Sequence, residues 1–445
     1  MINQKPSHLF YQTRSRRPQL DRADGVYMWD TSGKRYLDGS SGAMVSNIGH
    51  SNQNVLQAMR EQMDKSTFGY RLHFETEASE RLAAKTASLT PAGLDRVFFV
   101  SGGSEAVESA IKLARQYTIA VGQASRWKVI SRSPSYHGCT LGALALTGFT
   151  SLTAPFAPMM QPMPKIPAPR AYLDGLDQKN PATGHFYADM LEAKILEEGK
   201  DSVLAFIVEP VGGASTGALV PPAGYMSRIR EICDRYNVLL IHDEVMTGGG
   251  RTGQFFAADH WATVPDIIAL SKGFGAGYAP LGAMIAHDRV VDAVLDAGGF
   301  AHGFTYAGNP LACSAGLAVI KEIESLGLVE NAATIGERLK HRLEDLMVKH
   351  EFIGDVRGKG LLLAFELVSD RKTMTPLPVA LNAYNRLVDI AYDNGLIIYS
   401  RRTRDGLEGD HFLVCPPMIT TEQHVDEIID MLDRSLQQFS AEIKL

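Results

Sequence analysis

Between residues 96 and 270 the chain repeats one pattern: a short apolar run, a polar or glycine-bearing turn, then a helical stretch. Residues 96–100, 127–131, 204–208, 238–241 and 267–270 each read as a short buried strand, too short for a helix of comparable apolarity. Residues 105–115, 190–198 and 224–236 carry helical spacing between them. Parallel strands need such crossovers, so the pattern predicts a mostly parallel sheet covered on both faces. With 445 residues, 45% of them hydrophobic, the chain can bury a large core and divides into at least two domains. A further alternation of helix and strand after residue 320 predicts a second, smaller α/β domain. The expected fold class is therefore α/β, a large domain with a mostly parallel central sheet plus a smaller α/β domain.

The formal charge of −6 is mild and argues against nucleic acid and anionic membrane as partners. No apolar stretch is long enough to cross a bilayer, and Met1-Ile2-Asn3-Gln4-Lys5 lacks the apolar core of a signal peptide. Cys139, Cys233, Cys313 and Cys415 are scattered among apolar neighbours without metal-ligand spacing, so all four read as reduced core residues of a cytoplasmic protein.

Residues before 20 read as a polar, basic arm over the surface. Residues 25–38 read as a β-hairpin around Asp30-Thr31-Ser32-Gly33, and 52–65 and 75–89 as helices. The stretch 154–169, rich in proline and methionine, reads as a long ordered loop. Residues 356–367 read as one long strand, followed by a helix at 380–394, strands at 396–399 and 411–415, and a last helix at 421–439.

Ligands of open α/β sheets bind beyond the carboxyl ends of the strands. Asp243 stands at such an end, and Ser271-Lys272-Gly273 follows the next run. An enzyme using pyridoxal phosphate (PLP) needs that pair: a lysine to form a Schiff base with the aldehyde, and a carboxylate to keep the pyridine nitrogen protonated. Desolvation lowers the amine pKa of such a lysine and makes it a competent nucleophile. Singly, such an Asp is usually a cap or turn residue and such a Lys a solvated charge; the set carries the argument. Ser101-Gly102-Gly103-Ser104 opens a clean helix and aims free N–H groups at one point, which suits a phosphate; alone it is an ordinary strand-to-helix turn, without the Walker ending or the dinucleotide fingerprint. Tyr136, beside His137 and Gly138 after the second strand, is placed to stack on a flat ring, and Glu209 ends the strand at 204–208.

Six motifs occur together and in order: Ser101-Gly102-Gly103-Ser104-Glu105-Ala106, Tyr136-His137-Gly138, Val208-Glu209-Pro210, Asp243-Glu244-Val245 with Arg251-Thr252-Gly253, Ser271-Lys272-Gly273, and His302-Gly303-Phe304-Thr305-Tyr306. Through them the chain resembles the class III (ω-) aminotransferases of the fold-type I PLP enzymes over nearly its full length. The resemblance implies Lys272 as Schiff-base lysine and proton carrier, and Asp243 as partner of the pyridine nitrogen. It implies Val245 and Tyr136 on the two ring faces, with His137 also at the cofactor. Gly103 and Ser104 would hold the phosphate, and Glu209 would lie near the ring hydroxyl. Thr305 would reach the phosphate of the neighbouring subunit, which makes the protein a homodimer, with a tetramer left open. It implies residues 66–320 as the PLP-binding domain, and an arm and hairpin at 1–65 that fold with residues 321–445 as the small domain.

The expected reaction transfers an amino group from an amine or ω-amino acid to pyruvate or 2-oxoglutarate by a ping-pong route. The alternatives on the same framework are an aminomutase, an amino-acid racemase or epimerase, and a decarboxylase; a third reading is a non-catalytic PLP-binding scaffold, which intact Asp243, Lys272 and Tyr136 oppose. Two departures from the family pattern are Gly249, where many members have an aromatic, and Met44, where several amine-preferring members have a tryptophan. Many members also bind the substrate carboxylate with an arginine between the last two strands. Here 400–410 is longer and offers Arg401, Arg402 and Arg404, with nothing in the sequence to choose among them.

Overall fold

A computed structural model of the chain describes residues 7–443. Seven strands make the central sheet, in the spatial order Leu94–Val100, Gly282–His287, Ile267–Leu270, Leu239–Asp243, Val203–Val208, Lys128–Ser133 and Lys165–Pro167. The last five run parallel to one another, while Gly282–His287 is antiparallel to both its neighbours. Val203–Val208, Leu239–Asp243 and Ile267–Leu270 are buried along their whole length. That follows from helices on both faces, which is why these runs lack the alternation of a half-exposed strand.

The parallel sheet agrees with the sequence reading, and so does the hairpin of Tyr27–Asp30 and Arg35–Asp38. Leu20–Asp24 adds a strand to that hairpin, and Leu396–Ile397 pairs in parallel with Arg35–Asp38, Leu396 opposite Leu37. A second antiparallel sheet joins Ile353–Lys359, Leu362–Asp370, Glu408–Val414 and Tyr399–Arg404.

Arg251 ties these parts together. It is fully buried and donates to the Leu361, Cys415 and Pro416 carbonyls at 3.3, 3.1 and 2.6 Å, to Ser41 Oγ at 3.1 Å and to Asn47 Oδ1 at 2.6 Å. One guanidinium thus satisfies groups from the start, middle and end of the chain.

Four expectations are corrected or filled in. The single strand at 356–367 is two antiparallel strands turning at Gly360, whose positive φ of 57° suits glycine. The loop at 154–169 contains a 3-10 turn, Ala154–Met159, and the strand Lys165–Pro167 that closes one edge of the sheet. The stretch 400–410, which the sequence shows only as a longer connection between two strands, is a β-hairpin turning at Asp405 and Gly406. Cys139 is exposed, unlike the other three cysteines, because it lies in the turn between Lys128–Ser133 and the helix Leu141–Leu146. The arm before residue 7 and the stretch Met1–Lys5 lie outside the described residues. Among the described residues no helix is long and apolar enough to cross a membrane.

Candidate active site

Neighbouring parallel strands bring the candidate residues to one edge. Val208 pairs with His242, which sets Glu209 beside Asp243. Asp243 pairs with Ala269, three residues before Lys272. Tyr136 and His137 follow Lys128–Ser133 on the far side of Val203–Val208. The glycine turn arrives from the other end of the sheet. Gly282 pairs with Val100, and a Cβ there would lie 3.0 Å from both the Gly102 and Leu270 carbonyl oxygens, so the phosphate turn and the lysine turn approach closely.

Asp243 is buried. Its Oδ2 lies 2.8 Å from His137 Nδ1, and its Oδ1 accepts the Val245 N–H at 3.1 Å. The backbone that carries the imidazole is also held, because the His137 main-chain N–H donates to Thr147 Oγ1 at 2.9 Å. Lys272 has a positive φ of 47°, a strained backbone of the kind found at functional turns. Among the described residues its ammonium has no hydrogen-bond or ion-pair partner. Burial pushes its pKa below the usual lysine value, while Asp243 and Glu209 pull it back up.

Glu209 is buried too. Its Oε1 accepts the Gly213 N–H at 2.9 Å and its Oε2 has no hydrogen-bond partner among the described residues. Burial holds its carboxyl above the ordinary range, against the pull of His137 and Arg132. Arg132, absent from the sequence reading, donates to the Glu209 carbonyl at 2.7 Å and comes within 3.9 Å of its carboxylate. The available signal was a charge directly after the strand-like run 127–131.

The helix Gly103–Ala120 has no side-chain cap at Gly102, so its first N–H groups stay open to an anion. A Cβ on Gly103 would meet Val245 at 2.7 Å, and one on Gly138, at φ +139°, would meet Ser104 Oγ at 2.7 Å. Ser104 Oγ also accepts the Cys139 N–H at 3.0 Å, which clamps the two turns together.

These groups fit PLP. An uncapped helix start suits the phosphate, a buried carboxylate suits a protonated ring nitrogen, and a partnerless amine suits the aldehyde. Glu209 Oε2, buried without a hydrogen bond, suits a polar group such as a ring hydroxyl.

The aminotransferase class-III family profile matches residues 11–436. The chain is a class III aminotransferase. A Bacillus subtilis protein described as an uncharacterized aminotransferase is 38% identical over 433 residues, 96% of each chain. The putrescine–pyruvate aminotransferase of Pseudomonas aeruginosa is 34% identical over 431 residues, 95% of this chain and 91% of that one. An amine transaminase from an uncultivated Pseudomonas species, solved with PLP bound, superposes with a TM-score of 0.90 at 34% identity, covering 97% of this chain and 99% of that one. PLP is the cofactor of the family, and the alternatives of mutase, racemase and decarboxylase find no support.

In this aminotransferase the arginines of the 399–414 hairpin separate. Arg402 pairs with Asp410 at 3.2 Å, and Arg404 donates to the Met374 carbonyl at 2.6 Å and approaches Glu408 at 3.5 Å. Arg401 has no carboxylate partner among the described residues; its guanidinium lies 4.6 Å from the centre of the Tyr399 ring and donates to the Ser400 carbonyl at 3.2 Å. Burial raises the phenol pKa of Tyr136, and the charge of Arg401 acts against that rise. Tyr136 is half exposed. Thr305 is exposed on the loop before Pro310–Ser325 and does not enter its own subunit's cluster. Met44 is buried with Val211, Met246 and Ala218, with Tyr399 packed on the group, so the position forms an apolar wall.

Proposed function

We propose that this aminotransferase takes a distal amine, an ω-amino acid or a diamine, and passes the amino group to pyruvate or 2-oxoglutarate by a ping-pong route. Arg401 is the group that binds the acceptor's carboxylate. The observation that carries this reading is that Arg401, alone of the three arginines, has no acid partner among the described residues and lies on the Tyr399 ring, which packs on the apolar wall of Met44 and Met246.

Bound PLP supplies an aldehyde that takes the amino group and a protonated ring that draws electrons from the reacting carbon. Lys272 Nζ would take and return the proton of the substrate carbon, general acid–base work typically worth ~10²–10⁴-fold. Asp243 would keep the ring nitrogen protonated, with His137 holding Asp243 in place. Val245 and Tyr136 would pack on the ring, Gly103 and Ser104 would hold the phosphate, and Glu209 would serve the ring hydroxyl.

The protein works as a homodimer in which Thr305 completes the partner's phosphate site. Phe68, Tyr70, Leu72, Phe74 and Tyr306 are exposed, and Phe68 stacks edge-on with Tyr306 beside Thr305, an apolar patch suited to a second copy. Residues 66–320 form the cofactor domain; the direct pairing of Leu396–Ile397 with Arg35–Asp38 supports one small domain built from both ends of the chain. The cytoplasm is its place, in keeping with four free cysteines.

The test is visible absorbance of the PLP-loaded protein on addition of single amines without keto acid. A diamine or ω-amino acid should bleach the cofactor band, and pyruvate or 2-oxoglutarate should restore it. If only α-amino acids bleach it, the distal-amine reading fails.

A further inference from the structure

We propose that the buried Arg357–Glu366 ion pair is a positioning element that fixes the spacing between the Glu209 end and the Arg401 end of the substrate site. The proposal rests on the assignment of Arg401 to the substrate carboxylate.

Arg357 lies on Ile353–Lys359 and is buried, and Glu366, on the adjoining strand, is fully buried. Every donating nitrogen of the guanidinium is used. Nε donates to the Gly217 carbonyl at 2.7 Å and Nη2 to the Thr216 carbonyl at 3.1 Å. Nη1 donates to Asp355 Oδ2 at 2.7 Å, and Nη2 also to Glu366 Oε2 at 2.9 Å. The Tyr172 ring lies 4.3 Å from the guanidinium, and its hydroxyl donates to the same Glu366 oxygen at 2.9 Å. A planar fork meets two carbonyls and two carboxylates at once, which an ammonium cannot do.

The two carbonyls belong to the segment that follows Glu209. Gly213 sends its N–H to Glu209 Oε1, and its own carbonyl accepts the Thr216 and Ala218 N–H groups at 3.2 and 3.3 Å. Holding Thr216 and Gly217 therefore holds the Glu209 carboxylate. The segment has no slack: a Cβ on Gly217 would lie 2.7 Å from Arg357 Nη2 and 2.8 Å from His411.

Glu366 carries the other half. Its Oε1 accepts the Thr403 hydroxyl at 3.3 Å, and Thr403 is two residues from Arg401, on the same face of Tyr399–Arg404. His411, which packs on Gly217, is the cross-strand partner of Arg401. One ion pair thus grips both the loop behind Glu209 and the strand that presents Arg401. An ion pair needed only for folding would have no reason to spend its bonds on these two targets.

The experiment compares the two half-reactions in PLP-loaded Arg357→Lys and Thr403→Val, with Tm recorded for each. Thr403→Val removes one hydroxyl at nearly constant volume and tests the link should Arg357→Lys fail to fold. Arg401→Ala runs in parallel. Both positioning variants should raise the KM of the keto acid by about tenfold, the effect of losing one charge-assisted bond. In Thr403→Val, which touches only the Arg401 side, the half-reaction of a donor without a carboxylate should stay near wild type, whereas Arg357→Lys, which also loosens the Glu209 loop, should slow both. If both half-reactions fall together with Tm in Thr403→Val, or the keto acid KM does not move in either variant, the proposal is overturned. If Arg401→Ala itself leaves that KM unchanged, the carboxylate assignment fails and takes the proposal with it. If Arg401→Ala raises it and the two positioning variants do not, the positioning role alone is wrong.

Discussion

His137 Nδ1 and Asp243 Oδ2 stand 2.8 Å apart, both buried, with the remaining Asp243 oxygen taken by the Val245 N–H. The carboxylate that must face a positively charged ring is thus held from both sides. His137→Phe removes one support and should lower kcat by about 10–10²-fold, the worth of a hydrogen bond to a charged group. Asp243→Asn removes the charge itself and should lower kcat more, on the order of 10²–10³-fold, as for other preorganised charges. Steady-state rates of the two variants check the ranking; equal losses would mean that the imidazole does more than orient.

Lys272→Ala should abolish transamination while leaving the fold intact, and the protein should release PLP on dialysis. In the wild type, capture of PLP by the cofactor-free protein requires the neutral amine. Burial lowers the Lys272 pKa, so capture should saturate at a pH below the ordinary lysine value. Asp243 and Glu209 act in the opposite sense, so Asp243→Asn should move the midpoint to still lower pH. Capture rates followed by absorbance across pH would show the direction, and a move upward would contradict it.

Arg401→Ala should raise the KM of the keto acid by about 10–10²-fold with little change for a carboxylate-free amine. Arg402→Ala, which breaks the pairing with Asp410 instead, should lower Tm and leave both KM values close to wild type. Parallel kinetics on the two variants separate substrate binding from hairpin stability.

Subunit mixing tests Thr305. Lys272→Ala and Thr305→Asp homodimers should each be inactive. A hybrid of the two holds one site with both defects and one with neither, so mixing after dissociation should restore activity. No recovery in a confirmed hybrid would place Thr305 in its own subunit's site.

Acid should destabilise the protein through two histidines. His242 and His411 are fully buried, the ring nitrogens of His242 have no hydrogen-bond partner among the described residues, and burial drives both pKa values down to about 3. The unfolded chain binds these protons near pH 6.5 and the folded chain does not. Stability is therefore undiminished above about 6.5 and is lost as pH falls toward 3, by up to about 1.4 kcal/mol per pH unit for each histidine. His242→Leu replaces a ring that makes no hydrogen bond and should flatten the acid limb of a denaturation curve measured across pH.

Lys272 and Asp243 were legible because each ends an apolar run at a turn, where an α/β sheet offers its chemistry. The parallel sheet was legible for the same reason: a strand buried on both faces is apolar throughout. Arg401 was not, because 400–410 read only as a longer connection. Only as a strand does its period of two put Arg401 on one face and Arg402 and Arg404 on the other. Cys139 was misplaced because apolar neighbours in sequence say nothing of which way one side chain turns. The strand pair around Gly360 was merged because the long apolar run 361–367 outweighed the turn. The roles of Arg132 and Arg357 were harder to read, because the carbonyls they hold lie 77 and 140 residues away.

The pairing of Leu37 with Leu396 also sets an order of events during synthesis. A nascent chain that has emerged as far as Ser271 and Lys272 already holds the five parallel strands of the cleft, while the outer edge of Arg35–Asp38 still waits for a strand the ribosome has not made. Until residue 397 emerges, that edge is an open template for any extended segment nearby. The last stretch of translation is therefore the step at which this protein is most exposed to mispairing, and the point at which a slow codon or a missing chaperone would cost the most yield.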